Sequence, residues 1–162
     1  MTKKITYLLL ALALPGLLFI FLKLFGKNHF DIPVYYKDGV SDFPVECPVP
    51  YKGQYLLPDS LLKAIGWRKG EAILLVETTE SERKELSKIE SKIKQNSLQV
   101  ISLDNIKPDR LMRLKSCVLF LKDPYKLILI DREKRIRGYY ALSSQQEIDR
   151  LEVEIEILLT NY

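Results

Sequence analysis

The feature that most restricts the fold of this chain is an uncharged, apolar run close to its start. Residues 5–22, ITYLLLALALPGLLFIFL, include no charged side chain. A helix of about 18 residues rises roughly 27 Å, which is close to the hydrocarbon thickness of a bilayer. Since no polar face runs along these residues, a helix buried in a protein core is a poor alternative. The run therefore predicts a transmembrane segment over residues 1–25.

The flanks of this run bear on its orientation and processing. Lys3 and Lys4 precede it and Lys23 and Lys27 follow it, so positive charge favours neither side strongly. A secretory signal peptide also starts with a short basic stretch, but this run is long for one and no small-x-small cleavage site follows it. We expect an uncleaved signal anchor with its N-terminus inside.

The charge balance beyond the anchor excludes one class of partner. Apart from Lys3, Lys4 and Lys23, the other 22 of the 25 basic residues accompany all 21 acidic residues, which leaves a net charge near +1. A nucleic-acid-binding domain needs a concentrated basic surface. We therefore expect no nucleic-acid partner.

Residues 26–70 are rich in proline and tyrosine. Their five prolines remove backbone donors and restrict the preceding residues, so long helices are excluded. IPVYY, residues 32–36, has the composition of a short edge strand. PDSLLKAIGW predicts a short helix with Asp59 or Ser60 as its N-cap and Gly66 near its end. We expect a tether whose aromatic parts pack on the main domain.

From Glu71 onward the hydrophobic pattern becomes regular. Apolar runs, the last two separated by the polar turn REK, predict four strands at residues 72–76, 98–103, 126–131 and 135–142. CVLFLK, residues 117–122, fits either a strand or the end of a helix.

Helical patterns alternate with these strands. One helix follows the first strand, with Thr79 and Glu82 as a capping box, and a short helix lies between residues 104 and 115. A terminal helix begins at the capping box of Ser144 and Glu147. The order βαβ followed by ββα predicts an α/β domain with a thioredoxin-like fold over residues 71–162.

Two blocks of sequence are distinctive enough to suggest a family. The first is IDREKRIRGYY (130–140) followed by EIDRLEVEI (147–155), and the second comprises NHFDIPVYYKDGV and CPVPYKGQYLLPD upstream. Together they resemble the Sco/SenC family of membrane-anchored, thioredoxin-like proteins that assist copper insertion into cytochrome c oxidase. The resemblance implies a single-pass protein of a bacterial inner membrane, a periplasmic domain, and protein partners in respiratory oxidase or copper-protein assembly.

The functional motif of that family does not carry over to this chain. The resemblance places a Cys-x-x-x-Cys turn within Glu77 to Arg83, where there is no cysteine. It places a distal histidine near Asp123, where there is no histidine. Cu(I) prefers thiolate and imidazole to carboxylate or hydroxyl, and disulfide exchange needs a thiolate. We therefore expect a degenerate member with no catalytic residue and no cofactor, acting as an accessory or binding factor.

Cys47 and Cys117 are the remaining candidates for a metal site. Three interpretations stay open: each is a small buried residue, the two form a disulfide, or they form the unusual site of a copper carrier. A single-cysteine thiol oxidoreductase is a further alternative, which needs an accessible thiol of low pKa. His29 and Met112 are expected to be a surface histidine and a core residue rather than metal ligands.

Overall fold

The chain divides into two compact units, Met1–Asp31 and Ile32–Tyr162. The computed structural model describes residues 4, 13–21, 23, 31–40, 47, 52–77, 80–92 and 98–161. In the first unit, residues 13–21 are helical with exposed side chains. None of the helices among the described residues combines the length and the apolar character that crossing a bilayer requires. Much of the predicted anchor and His29 lie outside the described residues, so the anchor and the boundaries after residues 25 and 70 stay predictions.

A mixed four-stranded sheet forms the centre of the second unit. Its strands are β1 (Ala72–Val76), β2 (Leu98–Ser102), β3 (Leu127–Ile130) and β4 (Ile136–Tyr140). They lie in the order β2-β1-β3-β4, with β1 parallel to β2 and β3 antiparallel to both β1 and β4. All four strands predicted from the apolar runs are confirmed, the last three being slightly shorter than predicted.

The helices of the described second unit connect and cover this sheet. They are α1 (Asp59–Ala64), α2 (Glu80–Lys92), α3 (Pro108–Leu114), a π-helix (Lys115–Leu119) and α4 (Gln145–Asn161). The π-helix resolves the ambiguity at residues 117–122 in favour of a helix end. It stops at Phe120, whose backbone is left-handed with φ of 51°. The Asp123–Pro124 peptide that follows is cis.

Hydrophobic cores cover both faces of the sheet. One face packs against α1, the π-helix and the segment before α1, through Ile73, Leu75, Ile128, Ile130, Tyr55, Leu57, Leu62 and Leu119. The other packs against α2 and α4, through Leu74, Val76, Leu127, Leu129, Leu86, Ile89, Leu151 and Ile155. Because both faces are covered, β1, β3 and β4 are buried along their whole length, as the continuous apolar sequences of β1 and β3 indicate.

Two local predictions before β1 are wrong. IPVYY forms no strand, because its backbone makes a single bond to β4, from the N–H of Tyr35 to the carbonyl of Ile136, and then turns at Tyr36, where φ is 55°. Helix α1 is capped by Pro58 without a side-chain hydrogen bond. The carboxylate of Asp59 instead accepts a hydrogen bond from Lys134 at 3.0 Å.

The two predicted capping boxes have different outcomes. At α4, the hydroxyl of Ser144 accepts a hydrogen bond from the backbone N–H of Glu147 at 3.3 Å, which confirms Ser144 as the cap. The box of Thr79 and Glu82 lies outside the residues whose side chains are described.

Candidate functional site

Ion pairs occupy the sheet edge at which the sequence resemblance would place thiols. Glu77 directly follows β1, and its Oε2 lies 2.6 Å from Nζ of Lys115 on the π-helix. After β2, Oδ2 of Asp104 accepts hydrogen bonds of 2.7 Å from Arg83 and from Ser102. Since β1 and β2 are parallel, both groups follow strand ends at the same edge. The charges are neutralised in pairs that water still reaches, and such partly exposed pairs stabilise a fold only weakly.

Cys47 and Cys117 are joined by a disulfide bond, with their Cα atoms 5.5 Å apart. Of the interpretations left open by the sequence, the structure selects the disulfide, and neither cysteine is a free thiol. A bonded sulfur offers no thiolate to a metal or to a substrate. Within the described part of the chain, no group of three or more His, Cys, Asp or Glu side chains is placed to hold a metal ion.

A groove with a cavity volume of about 520 Å³ runs beside the π-helix. We call it the apolar groove, and its apolar wall consists of Tyr36, Val40, Leu111, Met112, Phe120 and Leu121. Lys115 and Lys122 also line it.

Met112 does not belong to the core. It exposes 73% of its surface, whereas Leu111 and Leu114 of the same helix pack against the core. Leu111 and Leu114 are three residues apart and so share one face of α3, while Met112 is rotated away from that face. The prediction of a core residue is therefore wrong, and Met112 belongs to the apolar groove.

Two tyrosine hydroxyls from distant parts of the chain hold the backbone behind this groove. Tyr55 donates a hydrogen bond of 2.7 Å to the carbonyl of Val118, and Tyr139 donates one of 2.7 Å to the carbonyl of Leu119. These carbonyls belong to the last turn of the π-helix. The carbonyls at the end of a helix have no partner within the helix, and the two hydroxyls satisfy them here.

A buried ion-pair network explains much of the motif IDREKRIRGYY. Asp131 and Arg137 are each 1% exposed, and Arg137 Nη1 lies 3.2 Å from Asp131 Oδ2. Arg135 Nε donates to the same oxygen at 2.6 Å. Arg137 also donates to the carbonyl of Ile32 at 2.6 Å, which ties the β3–β4 hairpin to the start of the second unit. This part of the motif maintains the fold.

The glycine and tyrosines of the same motif also have structural roles. Gly138 lies beneath the ring of Tyr140, where a Cβ atom would overlap the tyrosine side chain. The hydroxyl of Tyr140 donates to Glu154 of α4, and the guanidinium of Arg150 lies 4.6 Å from the centre of its ring. Sheet packing thus accounts for these residues, as the sequence indicates.

We expect stability to fall at alkaline pH because of these buried phenols. Burial is the main cause that raises the pKa of Tyr139 and of Tyr140 far above the ordinary value of 10.0, and hydrogen bonds to Tyr36 and Glu154 add to it. The neutral phenols therefore stabilise the fold fully below about pH 10, and this contribution is lost as the pH rises above that value. The free energy of unfolding should decline as the pH is raised above about 10.

The matched variants are Tyr140→Phe, which removes one buried phenol, and Tyr125→Phe, which removes one that is 40% exposed. Tyr140→Phe should flatten the decline above pH 10, and Tyr125→Phe should leave it unchanged. An identical decline in wild type and Tyr140→Phe would contradict the assignment. Tyrosinate absorbance gives an independent measure of which phenols ionise in the folded protein.

Comparisons with known proteins add no family to these observations. No family model matches the chain, and neither a curated protein nor a solved structure matches it. The family resemblance in the sequence therefore stays a hypothesis.

Proposed function

We propose that this chain is a membrane-anchored, thioredoxin-like protein of the Sco/SenC type that acts as a non-catalytic accessory or binding factor in the assembly of a respiratory oxidase or another copper protein. In this proposal the anchor lies in a bacterial inner membrane and the second unit lies in the periplasm. The observation that carries it is the ion pair between Glu77 and Lys115 at the end of β1.

The order and direction of the strands support the thioredoxin-like part of the proposal. The parallel pair β1 and β2 is followed along the chain by the antiparallel hairpin β3–β4 and by α4. This is the βαβ and ββα order of the thioredoxin plan, and β1 and β3 occupy the two central positions. The fold would then be retained while the chemistry at the end of β1 differs.

The chemistry at that edge supports a binding role rather than a redox role. A carboxylate neutralised by a lysine is a hard, already occupied group, whereas Cu(I) is held by soft thiolates. Thiol–disulfide exchange also needs an attacking thiolate, which neither Glu77 nor Lys115 supplies. A protein with this edge acts through the surface that it presents to partners.

The disulfide between Cys47 and Cys117 favours a second candidate function, that of a copper carrier. Reduction of the disulfide would return two thiols to neighbouring positions at Cys47 and Cys117, and two thiolates suit Cu(I). In that case Cu(I) would be cargo of the reduced protein. The accessory role remains our first proposal because it needs no reducing partner.

A complementation experiment distinguishes the two candidates. We expect deletion of the gene to lower the spectroscopic content of assembled oxidase in membranes. Wild type and the variant Cys47→Ser/Cys117→Ser should both restore it when the two proteins are present at equal levels, because the proposed role uses no thiol.

Two outcomes would contradict the accessory role. Normal oxidase content in the deletion strain would remove the link to oxidase assembly. Failure of the double serine variant at matched protein level, together with tight Cu(I) binding by the reduced wild type alone, would establish the copper carrier instead.

A further inference from the structure

The apolar groove is built from unusually irregular backbone. The π-helix Lys115–Leu119 forms one side, and the left-handed residues Phe120 and Tyr36, with φ of 51° and 55°, form another. The rings of these two residues are in contact, with centroids 4.9 Å apart. π-helical turns and left-handed residues other than glycine are energetically unfavourable and occur preferentially at functional sites. Their combination around one cavity indicates a site for a ligand.

The size and lining of the groove indicate a small molecule with an apolar body. Its volume of about 520 Å³ lies within the range of small-molecule sites. Aromatic rings of Tyr36 and Phe120, inclined to each other by 61°, line one side of the groove, and Met112 adds an exposed and adaptable thioether.

The charge of the groove indicates that the ligand is an anion. Lys115 and Lys122 line it, and the described part of its lining includes no acidic residue. Lys115 already contacts the carboxylate of Glu77, whereas Lys122 is exposed and has no ion-pair partner in the described part of the chain. A cation beside an apolar wall suits a ligand that ends in a carboxylate.

We propose that the apolar groove binds a small aromatic or apolar carboxylate, with its body against Tyr36, Phe120 and Met112 and its carboxylate at Lys122. This inference goes beyond the accessory role and does not depend on it, since the groove would bind the ligand whether or not the protein acts in oxidase assembly.

Methyl NMR of the full chain in lipid nanodiscs tests this site directly. The chain has two methionines, Met1 and Met112, so isotope-labelled methionine methyl groups give one signal at the groove and one at the N-terminus. The variant Met112→Leu assigns the groove signal. We use phenylbutyrate as the probe, phenylbutanol as its uncharged equivalent, and protein-free nanodiscs to correct for partition into lipid.

We expect phenylbutyrate to shift the Met112 signal saturably, to leave the Met1 signal in place, and to bind more tightly than phenylbutanol. Lys122→Glu should weaken the binding of phenylbutyrate about fivefold or more, because it replaces an electrostatic attraction by a repulsion. Lys63→Glu is the matched control, since Lys63 is an exposed lysine of α1 outside the groove lining. This variant should bind phenylbutyrate as tightly as the wild type.

Three results would overturn the proposal. The first is an unshifted Met112 signal, and the second is equal binding of both probes with no effect of Lys122→Glu, which would indicate a neutral apolar ligand. The third is a Met112 shift that depends on protein concentration alone, which would place a second copy of the chain in the groove.

Discussion

Removal of the disulfide between Cys47 and Cys117 should lower the free energy of unfolding of the second unit by about 4 kcal/mol, because the bond closes a long loop in the unfolded chain. The two cysteines are 70 residues apart, and this separation sets the loop entropy that the bond removes from the unfolded state. Urea unfolding of the full chain in detergent, followed by the fluorescence of its single tryptophan, Trp67, provides the measurement.

Three variants separate the energetic effect of the disulfide from that of the individual cysteine side chains. Cys47→Ser, Cys117→Ser and the double variant should lose nearly the same free energy, since each breaks the same bond. Ser116→Ala is the control, because Ser116 is an exposed neighbour of Cys117 and its removal leaves the disulfide intact. Its hydroxyl bonds to the carbonyls of Met112 and Arg113 and lies 3.6 Å from the sulfur of Cys117. Equal stability of the oxidised and reduced wild-type proteins would contradict the prediction.

The central sheet could be predicted from the sequence because its strands are buried on both faces. AILLV and LILI give continuous apolar runs, and such runs are typical of strands covered on both sides. The start of α4 was also predictable, because the Ser144 cap acts on its own neighbours in sequence. Local chemistry determines these elements, and so local patterns reveal them.

The groove could not be predicted, because contacts between distant residues create it. Tyr55 and Tyr139 hold the π-helix from 63 and 20 residues away, and a hydrophobic period does not encode those hydrogen bonds. The segment at residues 117–122 therefore fitted both a strand and a helix. The pairing of Cys47 with Cys117 also depends on tertiary structure, because a disulfide requires that the folded chain bring the two residues together.

The same distinction applies to the candidate site at the end of β1. The sequence showed that cysteines are absent from residues 77–83, which was sufficient to exclude thiol chemistry there. It did not show that Glu77 pairs with Lys115, because that contact depends on how the π-helix packs beside β1. Sequence thus excluded one function at this edge, and the structure supplied the contacts from which another is proposed.

Replacement of Asp131 by alanine should be the other strongly destabilising change, costing about 3 kcal/mol or more. Asp131 is buried, and its two oxygens accept hydrogen bonds from Arg135 and Arg137 side chains and from the backbone N–H groups of Glu133 and Arg135. The variant removes a buried carboxylate while the buried guanidinium of Arg137 remains. Urea unfolding followed by Trp67 fluorescence measures the loss.

A surface carboxylate of the same hairpin provides the control for this prediction. Glu133 also pairs with Arg135, at 2.8 Å, but its side chain is 67% exposed, so Glu133→Gln should cost less than about 1 kcal/mol. Replacing both members of the buried pair, in Asp131→Leu/Arg137→Met, should cost less than the sum of the single changes Asp131→Leu and Arg137→Met, because neither charge is then left without the other. A cost for Asp131→Ala no larger than that of Glu133→Gln, or strict additivity in the double variant, would show that Asp131 and Arg137 do not stabilise each other.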